Sequence, residues 1–207
     1  MSDLLLYHIS PSRSSIALWM LEEVGEPYDV HLLDIKKGEN REPAYLAVNP
    51  MGKVPAIRHE GVVITEAAAI CCYLADRFPK AGLSMPLDQA RRGIYLKWLF
   101  FGPSCLEPAL IDRMLKREGA QRSMVGWGDF DSVVAVLRDA VSRTPYLMGD
   151  RFTAADVIIG SGLRWGMMFK GLPELPEFTA YAKRLEERPA LKRANAKEAE
   201  FGKRAGA

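Results

Sequence analysis

The sequence predicts two folded units in tandem: an α/β domain over residues 1–80 and an all-helical domain over 87–207, joined by a linker at 81–86. Three observations predict it. The first eighty residues switch between short apolar runs, as buried strands have, and stretches with the 3.6-residue spacing of a helix. Pro79-Lys80-Ala81-Gly82-Leu83-Ser84-Met85-Pro86 is rich in breakers. Beyond it no strand-like pattern recurs. A chain of 207 residues is long enough for two small cores.

Leu4-Leu5-Leu6-Tyr7-His8-Ile9 is an apolar run of strand length, and the polar stretch Ser10-Pro11-Ser12-Arg13-Ser14 turns the chain after it. Ile16, Trp19, Met20 and Val24 share one face of a helix over about 14–24, which Gly25 ends. Tyr28, Val30 and Leu32 alternate with Asp29 and His31 as a second strand. One short helix is expected near 41–47. Val54 to Arg58 and Val62 to Ile64 form a hairpin about Glu60-Gly61, and a helix follows over 66–77. A β-α-β unit followed by a hairpin and a helix is the thioredoxin-like arrangement. In the second half, helices are expected at about 87–117, 123–143, 154–169, 176–187 and 189–200. Pro103 and Pro108 bend or break the first, and the charged C-terminal end frays.

Composition excludes several classes. Apolar residues make up 48 % and charged residues 26 %, as in an ordinary globular protein. No apolar run reaches the ~20 residues of a membrane span, and MSDLLLYHIS lacks the basic and apolar regions of a signal peptide. The net charge is +2, split as −3 over 1–80 and +5 over 81–207, without the concentrated basic face that nucleic acid requires. Cys71, Cys72 and Cys105 have neither disulfide-framework nor zinc spacing, so no metal is expected and a reducing, cytoplasmic setting is.

Two segments carry chemistry. In Asn49-Pro50-Met51-Gly52-Lys53-Val54-Pro55 the proline cannot donate to a sheet ladder. With a cis Val54-Pro55 bond, the Val54 N–H and C=O turn outward unpaired, and an extended peptide-like ligand can pair with them. The plain alternative is an edge-strand proline with no ligand. In Thr65-Glu66-Ala67-Ala68-Ala69, Glu66 stands at a helix start, where the macrodipole favours a carboxylate by ~0.3–1 kcal/mol. It either caps the helix or holds an ammonium, while the free first-turn N–H groups hold a carboxylate. Together these groups recognise an α-amino acid head group.

These residues resemble the cytosolic glutathione transferases, and the resemblance spans nearly the whole chain. It rests on Gly52-Lys53-Val54-Pro55, on Thr65-Glu66-Ala67, on the linker, and on Phe152-Thr153-Ala154-Ala155-Asp156, which is similar to the family's capping box. The resemblance implies that Val54 pairs through its backbone with the cysteinyl part of glutathione, with Pro55 cis. It implies that Glu66 binds the γ-glutamyl ammonium, that the Ala67 N–H binds the γ-glutamyl carboxylate, and that Lys53 lies near the glycyl carboxylate, as in theta-like members. The family usually has serine at the position of Ala67, so a hydroxyl hydrogen bond is missing here.

The chemistry needs the thiolate of glutathione, and a free thiol has a pKa of ~8.5. A hydroxyl donor near the end of the first strand lowers it. Aligned on Gly25, the family's tyrosine donor falls on Tyr7 and its serine donor on Pro11, which has no hydroxyl. A one-residue shift makes the donor Ser12, which ranks first, followed by Ser10 and Tyr7. Arg13 either adds positive potential or is a solvated loop residue. The loop has neither histidine nor cysteine, which favours hydroxyl over cysteine chemistry. Tyr95, Phe100, Phe101, Met114 and Trp165 are a pool for an apolar pocket. The function implied is conjugation of glutathione to a small hydrophobic electrophile by a homodimer. Two rivals use the same fold: a glutathione-dependent isomerase or peroxidase, and a non-catalytic binding or scaffold protein.

Overall fold

The structure, a computed structural model, describes residues 2–117 and 121–206. The chain divides into two compact units, Met1–Ala81 with Arg188–Ala207, and Gly82–Glu187. The first carries strands β1 (Leu4–His8), β2 (Asp29–Leu32), β3 (Ala56–His59) and β4 (Val62–Thr65), in the sheet order β2-β1-β3-β4. β1 is parallel to β2, antiparallel β3 lies on its other side, and β4 pairs antiparallel with β3. The parallel pair requires a crossover, supplied by α1 (Ser14–Val24). Gly25, at φ 79°, closes that helix by donating its N–H to Leu21 O at 3.0 Å. The helix expected near 41–47 is a 3₁₀ turn, Glu39–Arg41, followed by α2 (Pro43–Leu46). α3 (Ala67–Arg77) follows β4. The third strand starts later than expected, at Ala56, leaving Val54 and Pro55 ahead of the ladder.

The last helix, α9 (Pro189–Gly206), was expected in the helical half with a frayed end; it belongs instead to the α/β unit and packs on α1. Charge pairing across that contact is the reason. Arg188 holds both carboxylate oxygens of Glu23, at 2.6 and 2.7 Å. Arg193 and Lys197 donate to Glu22 at 2.7 and 2.6 Å. Burial raises the Glu22 carboxyl, but donors from Lys197, Tyr28 and Arg193 together hold it below the usual range.

The second unit contains α4 (Arg92–Phe101), α5 (Glu107–Met114), α6 (Phe130–Arg143), α7 (Ala154–Met168) and α8 (Pro176–Glu186). The single helix expected over 87–117 is broken into α4, a π-helical turn at Gly102–Leu106 containing Pro103, and α5. α6 begins at Phe130 rather than near 123, because Asp129 caps it by accepting the Ser132 N–H at 2.7 Å. The linker's second half is anchored in this unit. Leu83 and Met85 are buried, and Leu83 O accepts the Ala154 N–H at 2.9 Å. At the start of α7, Asp156 Oδ2 accepts the Thr153 N–H at 2.8 Å and its hydroxyl at 3.1 Å, while Oδ1 accepts from Leu147 N–H and Tyr181 Oη. Burial pushes the Asp156 carboxyl up against these four donors. No described helix is long and apolar enough to cross a membrane.

Candidate active site

The sheet register gathers the predicted site residues. Tyr7 stands opposite Ala56, and Ala56 opposite Thr65. The C-terminal end of β1, the N-terminal end of β3 and the C-terminal end of β4 therefore lie at one end of the sheet. Three segments leave from that end: the loop between β1 and α1, the segment Lys53–Pro55, and the start of α3 at Glu66 and Ala67.

The Val54 segment is built to stay in place. The Lys53 carbonyl accepts from Tyr45 Oη at 2.6 Å and from Asn49 Nδ2 at 2.8 Å. Burial, with the neighbouring Tyr7, pushes the Tyr45 phenol up to about 12, so it remains a donor at neutral pH. Gly52 has φ 63°, and a Cβ there would lie 2.8 Å from Asn40 O, so no larger residue fits without a shift. The Val54-Pro55 peptide is cis, as is Ser10-Pro11. Val54 packs against the cluster of Tyr7, Ile9, Leu33, Tyr45 and Ala56. Neither its N–H nor its carbonyl has a hydrogen-bond partner among the described residues. The Lys53 side chain is exposed.

The start of α3 is also open. Its first intrahelical bond runs from Ile70 N–H to Glu66 O at 2.9 Å, so the N–H groups of Ala67, Ala68 and Ala69 precede it without an acceptor among the described residues. Glu66 does not cap them. Its carboxylate is exposed and makes no hydrogen bond or ion pair with another described residue, and its backbone sits at φ 67°. For a residue other than glycine that conformation costs about 1–3 kcal/mol.

The loop after β1 holds the hydroxyl candidates. The Ser12 hydroxyl is half-buried, accepts the Ser14 N–H at 3.1 Å, and lies 2.7 Å from Ser14 Oγ. Ser10 Oγ donates to the Glu198 carbonyl on α9 at 3.3 Å. Tyr7 is buried, its ring between His31 and Tyr45 at 5.5 and 5.7 Å. Arg13 is exposed and directly precedes α1. The loop itself lacks histidine, but His8, the last residue of β1, is wholly buried with Nδ1 2.7 Å from Ser14 Oγ. Sequence reasoning missed this histidine. The available signal was strand alternation, which turns His8 to the face opposite Tyr7, toward α1. Cys71 is fully buried, and burial pushes its thiol well up, away from nucleophilic use. In the aromatic pool, Tyr95 is wholly buried, which makes it core rather than pocket lining.

Comparison with known proteins places this chain in a family. The family model for the glutathione S-transferase N-terminal domain matches residues 12–77, and that for the C-terminal domain matches 129–189. Glutathione S-transferase theta-1 of Rattus norvegicus is 30 % identical over 182 residues, covering 77 % of this chain and 72 % of that protein. The glutathione S-transferase GstA of Escherichia coli O157:H7 is 29 % identical over 186 residues, covering 87 % and 92 %. A theta class glutathione S-transferase of Xanthomonas axonopodis pv. citri, solved with glutathione bound, aligns with a TM-score of 0.75 at 28 % identity, covering 94 % of this chain and 97 % of that one. The open Val54 backbone and the uncapped Glu66 thus sit in a chain that belongs to the glutathione S-transferase superfamily.

Proposed function

We propose that this chain binds glutathione at the open end of its sheet, holds it as the thiolate, and conjugates it to a small hydrophobic electrophile. One observation carries the reading: a backbone N–H and carbonyl at Val54, a carboxylate at Glu66 and an N–H at Ala67, all without hydrogen-bond partners among the described residues, stand together at one end of the sheet. Each matches one part of glutathione. Val54 pairs with the cysteinyl backbone as an added strand, Glu66 takes the γ-glutamyl ammonium, and Ala67 N–H takes the γ-glutamyl carboxylate. Pro55 fixes the direction of the Val54 carbonyl, and the exposed Lys53 serves the glycyl carboxylate.

Ser12 is the thiol's partner in this reading. It is half-buried, and its neighbours leave it one position for an outside group. Tyr7 is packed among rings, which favours a core role, and the Ser10 hydroxyl is committed to Glu198. Arg13 adds positive potential from the loop. A hydroxyl donor and a fixed thiolate supply catalysis by charge stabilisation and proximity. The proposal includes the family's expectations of a theta-like, hydroxyl-donor member that works as a cytoplasmic homodimer. Titration calorimetry with glutathione and conjugation to chlorodinitrobenzene test it. Binding with turnover, and a loss of turnover in Ser12→Ala of roughly 10²-fold or more, is the expected result. Absence of glutathione binding would sink the reading, and full turnover in Ser12→Ala would remove Ser12 from it.

A further inference from the structure

Ser12 is one end of a buried chain of polar contacts. Ser12 Oγ lies 2.7 Å from Ser14 Oγ, and Ser14 Oγ lies 2.7 Å from His8 Nδ1. His8 Nε2 lies 3.1 Å from Glu198 Oε2 on α9. His8 and Ser14 are both wholly buried, and His8 Nε2 and the Glu198 carboxylate oxygens are shielded from solvent with no hydrogen-bond partner among the described residues, so the two groups face each other at ion-pair distance. The imidazole also makes a ring contact with Phe201, 5.3 Å away and likewise on α9. No other ionisable side chain hydrogen-bonds or ion-pairs with His8 among the described residues.

Counting hydrogens at Ser14 shows how the chain behaves. A serine hydroxyl has one hydrogen and two lone pairs. The Ile9 N–H uses one lone pair, at 3.2 Å. The hydrogen has three acceptors in reach, the Ile9 carbonyl at 3.2 Å and the two partners at 2.7 Å; when both shorter contacts are made, Ser14 donates along one and accepts along the other. The chain therefore points as a unit. With His8 neutral and its Nε2–H facing Glu198, Nδ1 accepts from Ser14, Ser14 accepts from Ser12, and a Ser12 lone pair faces outward. With His8 doubly protonated every bond reverses, and the Ser12 hydrogen points outward. In both arrangements Ser12 Oγ accepts the Ser14 N–H.

We propose that His8 is the acceptor of the glutathione proton, reached through Ser12 and Ser14, and that Glu198 holds the resulting imidazolium. The inference rests on the reading of Ser12 as the thiol's partner. The S–H bond of glutathione breaks and its proton passes to Ser12 Oγ. The Ser12 proton passes to Ser14 Oγ, and the Ser14 proton forms the Nδ1–H bond of His8. One proton leaves sulfur, one arrives on His8, and both serines end with the single proton they began with. The thiolate then faces a hydroxyl already turned to donate to it. The charged imidazolium lies against a carboxylate in a shielded site, where such a pair is strongest. After conjugation removes the thiolate, the proton returns along the chain to solvent or to the leaving group. His8 is a positioning and proton-holding residue, since Ser12 alone touches the sulfur. The last helix has a role in this scheme, because it brings Glu198 to the β1 end.

Proton counting tests the relay in the full chain. Titration calorimetry of glutathione at neutral pH, in buffers of different ionisation enthalpy, gives the protons released, and the ultraviolet thiolate band gives the thiolate formed. The expected ratio of protons released to thiolate formed is near zero for the wild type. His8→Asn keeps an amide within reach of Ser14 but cannot take a proton; there the ratio rises to near one and the apparent thiol pKa rises by about one unit. Glu198→Gln raises that pKa by less. A wild-type ratio near one, or the same ratio in wild type and His8→Asn, overturns the relay. Ser12→Ala separates the two readings. If it abolishes the thiolate band while the wild-type ratio is near one, only the relay fails. If it leaves the band intact, the assignment of Ser12 fails and the relay with it. If His8→Asn does not fold, the wild-type ratio and Glu198→Gln still decide: a near-zero ratio with an unshifted pKa in Glu198→Gln overturns the role of the pair.

Discussion

Two helices of this chain begin in opposite ways. At the start of α7, Thr153 and Asp156 satisfy each other and the neighbouring backbone, and the Asp156 carboxylate is filled by four donors. At the start of α3 the groups stay open: among the described residues Glu66 has no hydrogen-bond or ion-pair partner and three N–H groups have no acceptor, and the backbone holds a positive φ. A capped start such as that of α7 contributes about 1 kcal/mol to folding. The start of α3 gives up that gain and stores strain besides, which makes sense where a ligand completes the hydrogen bonds. The same contrast sorts the carboxylates. Those already satisfied inside the protein are expected to govern stability, and the unsatisfied one to govern binding.

The largest expected effect is on the closed side. Asp156→Ala leaves the Thr153 and Leu147 N–H groups and the Tyr181 hydroxyl without their acceptor. At ~1–3 kcal/mol for each buried unsatisfied donor, the loss of unfolding free energy is about 4 kcal/mol or more. Denaturant titration measures it, and a loss under about 1 kcal/mol would break the contrast, since that is the scale of an exposed cap. Next is Glu22→Gln, which takes the charge from the α1–α9 contact. The cations there are half-exposed, so about 2 kcal/mol is expected, below the ~3–5 kcal/mol of a fully buried pair. The pH dependence has a definite sign. The folded-state carboxyl lies below its unfolded value, so its contribution is complete above a pH of about 4.3 and is lost as pH falls through the folded value. Acid titration of wild type against Glu22→Gln is expected to show that component only in the wild type.

On the open side, Glu66→Gln is expected to weaken glutathione binding by roughly 10-fold or more, as for a charge-assisted hydrogen bond worth ~1.5–3 kcal/mol. Unfolding free energy should stay within about 0.5 kcal/mol, because no described residue hydrogen-bonds or ion-pairs with the carboxylate. Calorimetry and denaturation on the same preparation check both halves. A stability loss comparable to that of Glu22→Gln would place Glu66 with the structural carboxylates.

How much of this was legible in the sequence depends on how far each feature reaches along the chain. α1 and the strands follow from local periodicity, and Gly25 marks a helix end with a residue suited to φ 79°. Val54 and Glu66 were readable because a proline ahead of a strand and an acid ahead of a helix each leave backbone groups open within a few residues. The start of α6 was misplaced because Asp129 overrides the helical spacing upstream of it. The unit to which α9 belongs was not legible, since the Lys197–Glu22 contact joins residues 175 apart. The Ser14–His8 contact spans only six residues, yet it too stayed hidden, because it depends on how the loop folds back over the strand end. Glu198 has no local signal at all.

The smallest effect tests what the open helix start lacks. Ala67 is the first residue of α3, half-buried, with its N–H free. Serine at this position offers a hydroxyl beside that N–H, and a second hydrogen bond to the ligand carboxylate contributes about 0.5–1.5 kcal/mol. Ala67→Ser is therefore expected to tighten glutathione binding by about 3- to 10-fold. Stability should hardly change, because the modest helix penalty of serine, ~0.5 kcal/mol, falls at an N-terminal position where serine is tolerated. Calorimetry of Ala67→Ser beside Glu66→Gln gives the sharpest form of the comparison. A gain shows that the site is one hydroxyl short, and the double variant then reports whether the ammonium and carboxylate contacts add independently. No gain means that backbone N–H groups alone complete the carboxylate site. The difference between the two helix starts would then lie wholly in the backbone that Glu66 holds open.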